Sequence, residues 1–452
     1  MNSFNEVNES YTLAEAIKEA QRCLHCKAPM CQKGCPIGNE IPEWINELKM
    51  GNLGNAIKII RMKSNLPAVC GRVCGHERQC EGSCVLGKTG KHINIGKLER
   101  FVADFDAEAH LTHEGVAPKT RGKVAVVGSG PAGLTVAGDL ARKGFAVEIF
   151  EVEPEAGGML MYGIPEYRLP KEVVRREVSY VEELGVVFHF NSHAGKDFTI
   201  DDLLNNGFDA VFIGIGAGKP RTLEVPVFVD GNEKPVTSTK GMPGVHHATH
   251  FLRRAQMNLE GRMASREVEV QPGDKVFVVG CGNTAMDAAR TAKRLGASDV
   301  EIVYHRTIDR MAALRAEYDD AVKEGVVFNW NSSIVEIHTD KTKRMREIVI
   351  ETLNPDSEPS KRVVDADKVL MAVGAVPSTR IPSTTTGINL DDKGYILTRE
   401  VPYGMTSRKG VFAGGDVANR QATVVHAMHD AKLVAEGIAQ YVDAVKLIEM
   451  IG

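Results

Sequence analysis

The chain has 452 residues, of which 43% are hydrophobic and 25% charged, the composition of an ordinary globular protein long enough for two or three domains with full cores. Lys and Arg number 55 against 59 Asp and Glu, and the resulting net charge of −4 argues against a general nucleic-acid binder. No apolar run approaches the ~18 residues of a membrane span, and Met1 to Ser10 carries neither the basic nor the apolar segment of a signal peptide, so a cytoplasmic protein is expected.

Up to about residue 118 the stretches Thr12 to Cys23 and Ile41 to Lys63 space Leu, Ile and Ala helically, and β-rich runs are absent. Eight of the nine cysteines fall in this region. Cys23, Cys26, Cys31 and Cys35 read C-x2-C-x4-C-x3-C, followed by Pro36; Cys70, Cys74, Cys80 and Cys84 read C-x3-C-x5-C-x3-C. Short spacings with a final Cys-Pro suit Fe4S4 clusters, because one loop must aim several sulfurs at one cluster. A structural zinc pair would use matched C-x2-C knuckles, which occur only at Cys23 and Cys26. A disulfide framework would need a secreted chain. Iron is therefore expected, within an amino-terminal α-helical domain.

Ala117-Pro118-Lys119-Thr120 reads as a hinge into an α/β body. The body opens with the strand Lys123 to Val127, the turn Gly128-Ser-Gly130-Pro131-Ala132-Gly133, a helix through Lys143 and a strand Ala146 to Phe150 that ends at Glu151. This is the dinucleotide-binding fingerprint in its required context. Its glycines permit a tight turn and close approach to a pyrophosphate at the helix amino terminus, and an acid ~20 residues on binds a ribose hydroxyl. A second copy runs from Lys275 through Gly280-Cys-Gly282-Asn283-Thr284-Ala285, with Ala285 as the small residue where helix meets strand. Its next strand, Val300 to Tyr304, ends in His305-Arg306, where an NAD site would carry an acid. A cation there pairs with the 2′-phosphate of NADP, so NADPH is favoured over NADH, with Arg306 and Arg310 as the phosphate candidates.

Near the end, Gly410 to Asp416 is a strand closing in Gly415-Asp416, and Ala422 to Tyr441 reads as a helix whose first turn holds Thr423 and Val424. This segment is similar to the closing motif of two-dinucleotide-domain flavoprotein reductases, which implies that Asp416 holds the ribityl chain of FAD and that the helix dipole faces the ring.

Glu19-Ala-Gln-Arg-Cys-Leu-His-Cys26, both cysteine runs, Ile93-Asn-Ile-Gly96, Gly157-Gly158, Gly163-Ile-Pro-Glu-Tyr-Arg168-Leu-Pro-Lys171 and the two glycine loops together resemble the small (β) subunit family of NADPH-dependent glutamate synthase. Related modules are the amino-terminal half of dihydropyrimidine dehydrogenase and the large subunit of the electron-bifurcating NADH-dependent ferredoxin:NADP oxidoreductase. The resemblance implies two Rossmann-like domains, an FAD domain split around an inserted NADPH domain, behind the helical Fe–S domain. The expected boundaries are 1–118 for two Fe4S4 clusters, 119–245 and 374–452 for FAD, and 246–373 for NADPH. It adds Gly158, Met159 and Arg168 to the FAD candidates and Gly374 to the nucleotide contacts. It also implies Cys23, Cys26, Cys31 and Cys84 on one cluster, with Cys35, Cys74, Cys80 and Glu99 on the other. By counting alone Cys70 competes with Glu99 as the eighth ligand.

NADPH yields electrons in pairs and a cluster accepts them singly, so a flavin must stand between them, and no acid–base side chain is required. A disulfide reductase would carry a cysteine pair near the flavin, whereas Cys281 is the only cysteine after Cys84. Neither a mature amino-terminal Cys nor the length for a ~250-residue (β/α)8 domain is present, so glutamate synthesis by this chain alone is not expected. The expected protein is an FAD, NADPH and Fe4S4 oxidoreductase feeding a larger redox subunit, of glutamate synthase or of a bifurcating, ferredoxin-linked assembly. A free-standing ferredoxin reductase or diaphorase is the alternative enzyme. A non-catalytic scaffold would show degenerate glycine loops, and these are intact.

Overall fold

The computed structural model describes residues 3–112, 114–230, 235, 239, 241–353 and 358–451, and among them no strand precedes Gly122. The first helix, Leu13–Ala20, is fixed by a capping box in which the Thr12 hydroxyl accepts from the Glu15 amide and the Glu15 carboxylate accepts from the Thr12 amide. The helically spaced stretch Ile41 to Lys63 forms two helices, Ile41–Lys49 and Leu53–Lys63. Gly51, at φ +81°, takes the left-handed turn between them. Pro67–Val73 and Ile95–Ala109 complete the helical segment around buried Trp44, Leu48, Ile57, Leu98 and Val102.

The chain divides into two compact units. The larger comprises Glu6–Met161, Arg168–Gly218 and Val376–Gly452. Its sheet has seven strands in the order Thr398–Glu400, Tyr403–Thr406, Val411–Ala413, Ala210–Ile213, Gly122–Val127, Phe145–Phe150, Val187–His189. The last five are mutually parallel, and the fully buried Val124–Val126 and Val211–Ile213 give the continuous apolar runs that such strands need. The helical segment belongs to this same unit. Asn65 donates to the Asp139 carboxylate at 2.8 Å, and the Ala68 amide donates to Glu177 at 2.9 Å. The stretch expected as a hinge is pinned as well, since Lys119 Nζ donates to the carbonyls of Ala141 and Leu184.

The second unit holds Met1–Asn5, Tyr162–Tyr167 and Lys219–Ala375. A five-stranded parallel sheet runs Val327–Asn329, Asp299–Val303, Lys275–Val279, Lys368–Met371, Val245–His247, and a four-stranded sheet accompanies it. The inserted domain therefore starts near residue 219, earlier than the boundary at 246 expected from sequence. The reason is pairing: Val227–Val229 adds to Ser332–Thr339, and Val245–His247 adds to Lys368–Met371. Among the described residues no helix is long and apolar enough to cross a membrane.

Candidate functional site

The cysteines line two cavities, and each cavity draws on both sequence runs. The first is lined by Cys35, Cys70, Cys74, Cys80 and Glu99, with Asn39 and His76 beside them. The second is lined by Cys23, Cys26, Cys31 and Cys84, with Leu24 and Met30. Ile41 and Ile95 line both. Cys35 has thus left its own run for the second, and Cys84 has done the reverse. At the points of exchange, Cys35 leaves the short helix Met30–Gly34 in extended backbone, and Cys84 stands just ahead of the 3-10 turn Val85–Thr89.

The residues fit Fe4S4 groups. All nine cysteines are free thiols. Burial pushes the Cys31 and Cys35 thiols up to about 11, so they need an electropositive partner to become thiolates. Burial, with Glu177 adding to it, raises the Glu99 carboxyl to about 8. Three shielded polar atoms in the first cavity have no hydrogen-bond partner: Asn39 Oδ1, His76 Nε2 and Glu99 Oε1. Each such orphan costs about 1–3 kcal/mol unless something polar occupies the space. Cys70 differs, because its Sγ lies 3.7 Å from Met428 Sδ and it hydrogen-bonds the Cys74 side chain.

The first glycine loop is shaped on one side by packing and on the other by open space. Gly128, at φ +97°, donates its amide to the Phe150 carbonyl, and a Cβ at Gly133 would stand 1.9 Å from the Gly128 oxygen. A Cβ at Gly130 would meet nothing within 4 Å, although Gly130 opens the helix Pro131–Arg142 and leaves its first amides facing that space. Ala132 and Gly415 approach closely, with a Cβ on Gly415 only 2.9 Å from Ala132 Cβ, and Gly158 packs against Gly130. Glu151 is buried at the strand end, where Ser129 donates twice to its Oε2 and the Glu153 amide to its Oε1. Asp416 follows Gly415, and burial raises its carboxyl to about 6. Met159 is exposed and Arg168 buried. Thr423 Oγ1 lies 2.6 Å from His426 Nδ1, just ahead of the helix Val424–Ile451. Val425, one residue further, lines the first cysteine cavity.

The second loop repeats the plan in its own unit. Gly280, at φ +120°, donates to the Val303 carbonyl, and a Cβ there would meet the Ala372 oxygen at 2.5 Å. Gly282 opens the helix Asn283–Arg294 onto free space, with Thr284 in its first turn, and Asn283 Oδ1 accepts from the Leu314 amide. His305, Arg306 and Arg310 are exposed after the strand Asp299–Val303. The Tyr304 hydroxyl donates to the Arg310 carbonyl and holds the turn that presents these side chains. Gly374 has φ +88° with nothing within 4 Å of an added Cβ.

Residues 122–431 match the family described as pyridine nucleotide-disulphide oxidoreductase, and residues 1–111 match dihydropyrimidine dehydrogenase domain II, 4Fe-4S cluster. The chain belongs to the pyridine nucleotide-disulphide oxidoreductase family. It is 35% identical to the glutamate synthase [NADPH] small chain of Halomonas elongata, over 97% of this chain and 93% of that one. Identity to the protein of the same name from Escherichia coli K12 is 33%, over 97% and 94%. The fold is also that of T. acidophilum thioredoxin reductase, at a TM-score of 0.52 and 19% identity, over 70% of this chain and 97% of that one. The chain is an NAD(P)H-dependent oxidoreductase whose cofactors are FAD, NADPH and Fe4S4 clusters. Sequence reasoning missed Asn39, His76 and Val425 as lining residues; none has a motif, and only the folded cavity assembles them.

Proposed function

We propose that the chain is the electron-input subunit of a larger enzyme, resembling the glutamate synthase small chain, and that its electrons leave through the cysteine-lined cavities. FAD, when bound, accepts hydride from NADPH and releases the electrons singly to Fe4S4 clusters. The residues supply position and charge. Gly130, the first amides of Pro131–Arg142, Glu151 and Asp416 hold FAD; Gly282 with the helix Asn283–Arg294 holds the NADPH pyrophosphate, and Arg306 with Arg310 its 2′-phosphate. Cys35, Cys74, Cys80 and Glu99 hold one cluster, and Cys23, Cys26, Cys31 and Cys84 the other.

The observation that carries this reading is the continuity of one wall. The helix that begins just beyond Gly415-Asp416 contributes Val425 to the first cavity, and the first cavity shares Ile41 and Ile95 with the second. A route from flavin to first cluster, second cluster and partner follows from that order. Anaerobic NADPH reduction of the purified chain tests it: flavin bleaching followed by cluster reduction is expected, with rapid reoxidation by the large subunit that co-purifies. Clusters that stay oxidised while the flavin is fully reduced and turning over with that subunit would refute the route.

A further inference from the structure

Asp430 is buried on the final helix, Val424–Ile451, and its carboxylate accepts from two donors. The Gly415 amide donates to Oδ2 at 2.6 Å, and the Tyr403 hydroxyl donates to Oδ1 at 2.9 Å. Both oxygens are thus engaged as acceptors by the protein itself. Burial, with Asp430 adding to it, raises the Tyr403 hydroxyl, which keeps its proton and donates. Two close approaches make the arrangement possible. A Cβ on Gly414 would stand 2.7 Å from Asp430 Oδ2, and one on Gly437 would stand 2.3 Å from the Tyr403 carbonyl oxygen. Gly415, at φ +68°, is therefore gripped from the helix, and Asp416 is the next residue. The same helix carries Val425 to the lining of the first cysteine cavity and Met428 to the Cys70 sulfur.

We propose that Asp430 is a positioning residue for the flavin: by holding the Gly415 amide and the Tyr403 hydroxyl together, it sets where the Asp416 carboxylate meets the ribityl chain. The proposal rests on the reading of Gly415-Asp416 as the turn that holds FAD. A glycine in left-handed backbone has many other conformations open to it, so the direction of the Asp416 side chain depends on what fixes Gly415. Without the bond to Asp430 the turn relaxes, and Asp416 swings with it. Because Val425 of the same helix lines the first cysteine cavity, the bond also ties the flavin turn to the wall of the site that receives its electrons.

The test is FAD titration of the FAD-depleted full chain at pH 5 and pH 7, in the unmodified protein and in D430A, D430N, Y403F, D416A and the double variant D430A/D416A. Melting curves of each variant establish that it folds. D430A should raise the Kd for FAD about tenfold at pH 7, the size of one lost hydrogen bond to a carboxylate, and should lose the gain in affinity from pH 5 to pH 7. D430N keeps an acceptor for the Gly415 amide and should restore most of the affinity. In the D416A background D430A should have little further effect, because the side chain it places is gone. Unchanged FAD affinity in folded D430A would overturn the proposal. So would effects of D430A and D416A that simply multiply, or a loss in D430N as large as in D430A. If D430A fails to fold, Y403F gives the same reading: it should weaken FAD binding when Asp416 is present and leave it unchanged in D416A, and equal weakening in both, or none in either, would overturn the proposal. Unchanged FAD affinity in D416A alone would instead overturn the assignment of Asp416 to FAD.

Discussion

Cys70 Sγ lies 3.7 Å from Met428 Sδ, and both side chains are buried. The contact ties the helix Pro67–Val73 to the final helix Val424–Ile451. It also separates Cys70 from its neighbours in the first cavity, because its sulfur already has partners while Glu99 Oε1 has none. Under the proposed cluster assignment, Glu99 is accordingly the fourth ligand to test first. Cys70→Ala should keep about eight iron per chain, as two Fe4S4 groups require, and cost about 1 kcal/mol in stability from the lost packing. Glu99→Ala should lose the cluster of the first cavity, halving the iron. Iron and sulfide analysis of both variants checks this, and the reverse pattern would make Cys70 the ligand.

Glycines divide by what limits them. A Cβ at Gly133 collides with the Gly128 carbonyl, whereas one at Gly130 meets only open space. Gly130→Ala should leave thermal stability nearly unchanged and weaken FAD binding; Gly133→Ala should lower both. Melting curves of FAD-depleted protein, alongside FAD titrations, separate the two effects.

Arg306→Glu should raise KM for NADPH far more than for NADH. A charge-assisted contact of about 1.5–3 kcal/mol is lost and replaced by repulsion, a change of at least tenfold in kcat/KM for NADPH alone. His305 supplies a cation only when protonated, so discrimination rests mainly on the arginines. Equal use of the two nucleotides by the unmodified protein would remove the argument.

Cys35→Ser or Cys74→Ser should spare NADPH-driven dye reduction and abolish electron delivery to the large subunit. On the proposed route, the dye can take electrons from the flavin, while the subunit would draw them through the clusters. Retained FAD content and retained subunit binding, measured in the same variants, isolate the electronic role; undiminished delivery without clusters would contradict the route.

FAD affinity should rise with pH between about 4 and 6 and level off above. Burial raises the Asp416 carboxyl from 3.8 to about 6 in the free protein, and a ribityl hydroxyl donating to the carboxylate would lower it again, so binding releases a proton in that window. In the FAD-free fold the sign is opposite. The folded state holds the proton more tightly than the unfolded chain, so the stability contribution present below pH ~4 is lost as pH rises through about 6. Asp416→Asn should flatten both profiles, which FAD titrations and melts at pH 5 and pH 7 would reveal.

The glycine loops were legible in the sequence because a tight turn with close backbone approach leaves few choices of residue, and the strand before and helix after each loop are local in the chain. The thiols were legible for the same reason: short spacings allow little but a shared metal group. Their division between two cavities was supplied by resemblance, since spacing cannot say that Cys35 crosses to the second run and Cys84 to the first. That exchange depends on how the helices Ile41–Lys49 and Ile95–Ala109 pack, with Ile41 and Ile95 forming the wall between the cavities. The start of the inserted domain near residue 219 was hidden too, because Val227–Val229 finds its partner strand more than 100 residues later and strand pairing at that range leaves no local periodicity to read. His76 and Val425 had no signal at all. A ring seated over a glycine and a valine on a helix become part of a site only when segments hundreds of residues apart close around the same space, and that closure is a property of tertiary packing alone.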